Sequence, residues 1–327
     1  MISPPGAAIF ATGTQQLTAS ARTTGGSEVA GRTFTWSTDA AHVAKVSAAG
    51  AVTATGVGTA FIRAVDQGSG ISRSVEVVVS APPRPPGSLL SIGIDSILQF
   101  GSWVYVNSLI VIDTSATGKD YRISIIRKPD VPFVSPISRA SFPLTSAIAE
   151  CPNGARYLSN IADGTNSLQL WTIDDQTAFA TSLGTLSIGS SSVSSMVCDA
   201  TNSLLVVGNF AGFGTLFRVN PVTRQVTTIK LIDETFWGIA RSPADVFYAT
   251  VSDPIASNHE PQLFVSINPS TGVYAPVGDG QLREFFPISQ MAFRGDRILG
   301  ISYFGDELVE INAATGAVTV LRALTVR

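Results

Sequence analysis

Before residue 80, apolar and polar residues alternate over short runs. Phe34 and Trp36 interleave with Thr33, Thr35 and Ser37, and Ala60, Ile62 and Ala64 interleave with Phe61, Arg63 and Val65. A period of two sends successive side chains to opposite faces of a strand, so these runs predict half-buried strands. Gln16 to Ala19, Ala51 to Ala54 and Arg73 to Val79 add further short strands, and Gly50, Gly56 and Gly58 punctuate the turns between them. No window of helical period intervenes, which predicts a small β-sandwich over residues 1–80. The stretch Ala81-Pro82-Pro83-Arg84-Pro85-Pro86-Gly87 then breaks every ladder, and its four prolines predict a short extended spacer over residues 81–87.

Residues 88–327 carry a longer rhythm. The runs ending at Asp113, Asp174, Asn220, Asn268 and Asn312 each close a hydrophobic strand with Asp or Asn, at separations of 61, 46, 48 and 44 residues. A turn follows each one, as in Pro221-Val222-Thr223-Arg224 or Ala313-Ala314-Thr315-Gly316, and then another strand. An Asp or Asn side chain hydrogen-bonds the backbone of the turn it opens, so these five are framework positions. Small apolar runs at 145–149, 193–197, 236–240 and 288–292 precede the last four and suit innermost strands, where space is scarce. Four strands per ~40–50 residues is the arithmetic of a β-propeller blade. The prediction is an all-β chain with a propeller over 88–327, five blades fitting best and six or seven left open. The first period is the irregular one: residues 127–136 are rich in proline, and closure of the ring would draw on residues 88–100.

In the first eighty residues several separate words arrive in order: Leu17-Thr18-Ala19, Thr35-Trp36-Ser37-Thr38, Val43-Ala44-Lys45-Val46, Gly50-Ala51-Val52-Thr53-Ala54 and Gly58-Thr59-Ala60-Phe61-Ile62. This segment resembles the bacterial Ig-like domain of group 2. The resemblance implies a Greek-key sandwich of the kind found in adhesins, surface proteins and bacteriophage virion proteins, with no catalytic residues to carry over. The later words are similar to those of divergent propeller repeats, in which a turn of the form Ile-Asn to Thr-Gly joins the two outer strands.

Charged residues make up 14% of the chain, well below the ~25% usual for soluble proteins. Lys and Arg number 21 against 24 Asp and Glu, with no basic cluster or stripe, which argues against nucleic acid as a partner. No run approaches the ~20 apolar residues of a membrane span. The opening MISPPGAAIFATG lacks the basic start of a secretory leader, so the chain is expected either to be assembled inside its cell or to have lost a leader. A surface poor in Lys and Glu loses less when desolvated, which favours packing into a larger assembly, including a homo-oligomer.

Trp36 on a regular strand is expected to anchor the sandwich core. Cys151 and Cys198 follow two equivalent inner runs and are expected to be buried thiols, with a disulfide as the lesser reading. His42 and His259 each stand without a second histidine and are expected on turns or loops. Glu150, Asp199 and Asp95 are the candidates for oxygen ligands of a structural Ca²⁺ on the propeller axis, although Arg241 at the fourth equivalent position opposes a carboxylate ring. Otherwise no cofactor is expected. Trp237, Phe210, Phe213 and above all Phe285 and Phe286 are candidates for an interface or a glycan contact, since adjacent strand residues face opposite ways. No nucleophile elbow, phosphate loop or zinc spacing occurs.

These features favour a non-enzymatic structural or attachment protein on a particle or cell surface, foremost a bacteriophage virion component of head, tail or fibre. Its expected partners are other structural proteins of that assembly and a host surface glycan. The expected location is the virion surface, or a bacterial or extracellular surface after loss of a leader. The alternatives are a glycan-binding module and a metal-dependent propeller hydrolase or lactonase.

Overall fold

The computed structural model describes residues 1–10, 13–81, 84–85, 87–99, 102–115, 118, 120–125, 147–161, 167–176, 178, 180–189, 192–210, 213–232, 234–252, 262–282, 288–302 and 307–324. The first group of strands comprises β1 (Ile2–Ser3), β2 (Gly6–Phe10), β3 (Thr14–Gln16), β4 (Thr18–Ala19), β5 (Phe34–Thr38), β6 (Ala44–Val46), β7 (Ala51–Ala54), β8 (Gly58–Asp66) and β9 (Ser72–Ser80). They form sheets in the orders β2-β9-β8-β5 and β3-β7-β6, with β1-β4 as a short pair; β2 runs parallel to β9. Alternation decides what is buried. On β8 and β9, Ala60, Ile62, Ala64, Val75, Val77 and Val79 point inward while Phe61, Arg63, Glu76 and Val78 face out. Trp36 is half-buried against this core. Gly50 lies under its ring at φ +81°, where an added Cβ would stand 2.5 Å from the Leu17 carbonyl oxygen and 3.0 Å from the indole, so only glycine fits.

The second group forms five antiparallel sheets, each in sequence order. The first holds β10 (Leu89–Gln99), β11 (Ser102–Ile112) and β12 (Tyr121–Ile125). The second holds β13 (Ala147–Glu150), β14 (Arg156–Ile161), β15 (Ser167–Ile173) and β16 (Ala180–Ser187), and the third β17 (Ser192–Cys198), β18 (Leu204–Phe210), β19 (Phe213–Val219) and β20 (Val226–Ile232). The fourth holds β21 (Thr235–Arg241), β22 (Phe247–Ser252), β23 (Gln262–Ile267) and β24 (Tyr274–Leu282), and the fifth β25 (Ile288–Arg294), β26 (Arg297–Ser302), β27 (Glu307–Ile311) and β28 (Val318–Ala323). The inner strands β13, β17, β21 and β25 neighbour one another in turn.

The last sheet packs on the first. Leu89, Ile110 and Ile112 share a core with Leu299 and Leu308, Ser91 Oγ donates to Gln290 Oε1 at 2.6 Å, and Arg322 of β28 binds the buried Asp120 carboxylate and the Asp113 carbonyl oxygen. This closure gives the propeller-like arrangement expected from the repeats, with one difference. Leu89 pairs with Ile112 as Leu204 pairs with Val219, and Asp113 follows Ile112 as Asn220 follows Val219. β10 therefore holds the place of a second strand, and among the described residues the innermost place of the first sheet is empty. Among the described residues, 89–99 thus pair with β11 and not with a strand from the chain's other end.

Packing between sheets buries both faces of a strand. Leu204, Leu205, Val206 and Val207 are consecutive and all fully buried, against Met196 and Phe217 on one side and Phe236 and Phe247 on the other. Polar side chains bridge the sheets where inner strands start. Asn209 accepts from the Phe236 N–H at 2.9 Å and donates to its carbonyl oxygen at 3.0 Å, and Thr250 accepts from the Gly238 N–H while donating to the Ile288 carbonyl oxygen at 2.8 Å. Gly238 allows that approach: a Cβ there would lie 2.9 Å from the Ile288 carbonyl oxygen.

Candidate ligand site at the ring axis

The inner strands converge on a cavity of about 330 Å³ to which all five sheets contribute. Its apolar wall includes Leu90, Ala149, Met196 and Ala292, while Ser194, Gln290 and the rim residues Glu150, Arg241 and Arg294 supply polar groups. These charges collect because inner strands end there: Glu150, Arg241 and Arg294 are the last residues of β13, β21 and β25. A strand interior cannot hold an ion against its neighbours, whereas a strand end reaches solvent. Ser194 Oγ accepts from Asn209 Nδ2 at 2.7 Å, which leaves its own proton for another acceptor.

Cys151 and Cys198 form a disulfide at this rim, with 5.1 Å between Cα atoms, tying the inner strand of the second sheet to that of the third. The expectation of two buried thiols is corrected accordingly. Equivalent positions on adjacent inner strands bring the two Cα atoms within bridging distance.

Beside the disulfide lies a charged groove that adjoins the cavity at Glu150 and Arg294. Arg84, from the proline-rich stretch, donates through Nη1 to Glu150 Oε1 at 3.3 Å and to Asp175 Oδ2 at 3.2 Å, and through Nη2 to Glu150 Oε2 at 3.3 Å and to the Ser88 carbonyl oxygen at 3.2 Å. Arg156 Nη2 reaches the same carboxylates, at 3.1 Å from Glu150 and 3.0 Å from Asp175. Burial alone would lower the Arg84 guanidinium, but its bonds to Glu150 and Asp175 outweigh that and hold it above its ordinary value. Arg294 shows the opposite balance. Burial pulls it below the ordinary value, Glu150 only partly opposes this, and Arg84 adds to it.

The predicted residues disperse. Asp113, Asp174, Asn220, Asn268 and Asn312 occupy equivalent corners between third and fourth strands. Asp113 and Asp174 Oδ1 each accept the N–H two residues on, and the three Asn Oδ1 atoms each accept those two and three residues on. Glu150 and Asp199 do not converge. Asp199 is buried in its own turn, accepting from Thr201 and Ser203, with Arg218 at 3.5 Å. Among the described residues no group of three or more His, Cys, Asp or Glu could hold a metal ion, so the axial Ca²⁺ has no ligand set there. The Asp95 and Phe210 side chains, His259, Phe285, Phe286 and residues 127–136 lie outside what is described. His42 is exposed, Phe213 is exposed, and Trp237 is half-buried with its Nε1 donating to Ser252 Oγ at 2.7 Å. Sequence reading missed Arg84, Arg156, Asp175 and Arg294, because no local pattern ties together residues from the proline stretch and two separate sheets.

Residues 1–77 match the family described as bacterial Ig-like domain (group 2), so the N-terminal sandwich is an Ig-like domain. No curated protein matches the chain in sequence. Solved structures similar to it include puromycin hydrolase (14% identity, 94% of this chain and 50% of that one, TM-score 0.40), a candidate 6-phosphogluconolactonase from Bacteroides fragilis NCTC 9343 (13%, 82% and 92%, 0.44) and streptogramin B lyase (15%, 83% and 80%, 0.38). The chain spans about half the length of the puromycin hydrolase structures. Likeness at this level reaches no further than a distant propeller-like fold. The expectation of a non-enzymatic structural protein, with its virion assignment, is nevertheless corrected. Most of the similar structures are of enzymes, which is a property of those proteins, and the ring holds a polar-rimmed cavity in addition to its framework corners.

Proposed function

We propose that this chain is an enzyme that acts on a small organic molecule held in the axial cavity, by hydrolysis or elimination. The observation that carries the reading is the cavity itself. Its volume lies at the lower end of the ~300–1,000 Å³ typical of small-molecule sites, and it joins apolar walls to a few convergent polar groups, the usual composition of such a site. Glu150 is the described carboxylate at the rim, and Ser194 the hydroxyl whose proton faces no described acceptor. In this reading the ring has five blades. The first gives up its innermost strand, and the space so released belongs to the cavity. The Cys151–Cys198 disulfide supports a location outside the reducing cytosol, at a cell surface or beyond it. The Ig-like domain then serves as spacer or anchor.

A panel of lactones, amides and esters small enough for the cavity, followed by product mass spectrometry, tests the reading. Turnover abolished by Met196→Trp, which fills the cavity from its apolar wall, is the expected result. Turnover indifferent to that substitution, or absent across the panel with no ligand-induced thermal shift, overturns it.

A further inference from the structure

The rim of the axial cavity and its adjoining groove hold four guanidinium groups, from Arg84, Arg156, Arg241 and Arg294, against two carboxylates, from Glu150 and Asp175. The pairing is uneven. Arg84 and Arg156 each reach both Glu150 and Asp175, and Arg241 is paired with Asp245 four residues on. Among the described residues Arg294 forms no ion pair; its Nε is sealed without a hydrogen-bond partner, as are those of Arg156, Arg218 and Arg322, so its remaining guanidinium nitrogens are the ones a ligand could meet. Arg294 also lines both the cavity and the groove, so it stands where the two spaces meet.

A half-buried cation without a counter-charge is unfavourable. The folded ring keeps one here although two carboxylates lie close by, both already taken up by Arg84 and Arg156. The missing partner is one negative charge with at least two acceptor atoms, because a guanidinium presents its donors as a planar fork. The apolar wall of Leu90, Ala149, Met196 and Ala292 accommodates the rest of such a molecule. We propose that the substrate is a compact organic acid, with its carboxylate or phosphate group bound by Arg294 at the rim and its apolar body inside the axial cavity. This rests on the reading of that cavity as the substrate site and adds the charge of what enters it. Burial is the first cause that lowers the Arg294 guanidinium below its ordinary value, and a bound anion would oppose it.

The test uses the full chain and three probes of similar shape: benzoate, phenyl phosphate and neutral benzamide, titrated by calorimetry into the wild type, Arg294→Gln and Arg294→Lys. Benzoate or phenyl phosphate should bind more tightly than benzamide. That preference should fall at least about tenfold in Arg294→Gln and be partly retained in Arg294→Lys, which keeps the charge but loses the fork. The tighter of the two anions identifies the head group. Benzamide binding as well as the anions, or anion binding unaltered in Arg294→Gln, overturns the anion proposal and leaves the cavity as a site. No binding by any of the three, in a wild type whose circular dichroism shows intact sheets, overturns both.

Discussion

The Ig-like sandwich and the ring are built from strands of similar length, yet they use them differently. On β8 and β9 every second residue is buried and the others meet solvent, so Phe61 and Val78 lie exposed beside Ala60 and Val77, which are sealed. On β18 four consecutive residues are sealed, because each sheet of the ring is covered on both faces by its neighbours. The sandwich fills its interior from two inner faces. The ring must converge on an axis, where three of the four described inner strands end in charges, and the space that remains is the candidate site. One region spends its outer faces on solvent, and the other has its unsatisfied chemistry at strand ends.

The largest expected effect tests that difference in burial directly. Phe217→Ala in the ring should destabilise by about 3–5 kcal/mol, while Phe61→Ala on the outer face of the sandwich should stay within about 0.5 kcal/mol. Denaturant titration of the two variants reads both values, and similar losses would mean that the sandwich's outer face is covered by something. Next in size is the disulfide. Replacing Cys151 and Cys198 together by Ser opens a loop of 47 residues and should remove about 2–4 kcal/mol. Amide exchange should accelerate on β13 and β17 and not on β8 or β9. Equal acceleration in both regions would show that they unfold as one unit.

Much of this division was legible in the residues. Period-two alternation on β8 and β9 is a local property, and the Asp or Asn at each corner answers a local need, since its Oδ1 caps the turn that follows it. The first sheet was less legible: Asp113 stands at its corner, but that its second strand has no inner neighbour among the described residues depends on register with Ile112, which no pattern in residues 88–100 displays. The site was least legible of all. Arg84 stands 66 residues from Glu150 and 91 from Asp175, and a residue so placed reads as linker until the ring folds beneath it. The bridge between Cys151 and Cys198 likewise depends on how two blades sit side by side, and the spacing of the cysteines alone does not settle it.

A smaller effect separates corner from core within the ring. Asn220→Ala removes the acceptor of the Val222 and Thr223 N–H groups, at 2.9 Å each, on an exposed turn where water can replace it. The expected loss is about 0.5–1.5 kcal/mol, well short of Phe217→Ala. Asn220→Asp, which keeps the acceptor, should recover most of it, as Asp113 and Asp174 do at their own corners. A loss as large as that of a core residue would instead assign the corner a role in holding adjacent sheets together.

The smallest effect belongs to the sandwich and is read in acid. Asp66 ends β8, and its carboxylate accepts from Ser69 Oγ at 2.7 Å and the Gly68 N–H at 3.1 Å, with Arg32 at 3.5 Å. The Ser69 hydroxyl is the main cause that holds the carboxyl below its ordinary value of 3.8; burial opposes it, and the Gly68 N–H and Arg32 support it. A carboxylate whose folded value is depressed stabilises the fold fully above the unfolded value and loses that contribution as pH falls through the folded one. The sandwich should therefore soften below about pH 3.8, at the turn after β8 first, and Asp66→Asn should flatten that dependence while lowering stability at neutral pH. Amide exchange of Gly68 to Gly70 between pH 5 and pH 3 measures it. An unchanged pH slope in Asp66→Asn would remove this carboxylate as the source of the acid sensitivity and leave the turn after β8 no weaker in acid than the strands it joins.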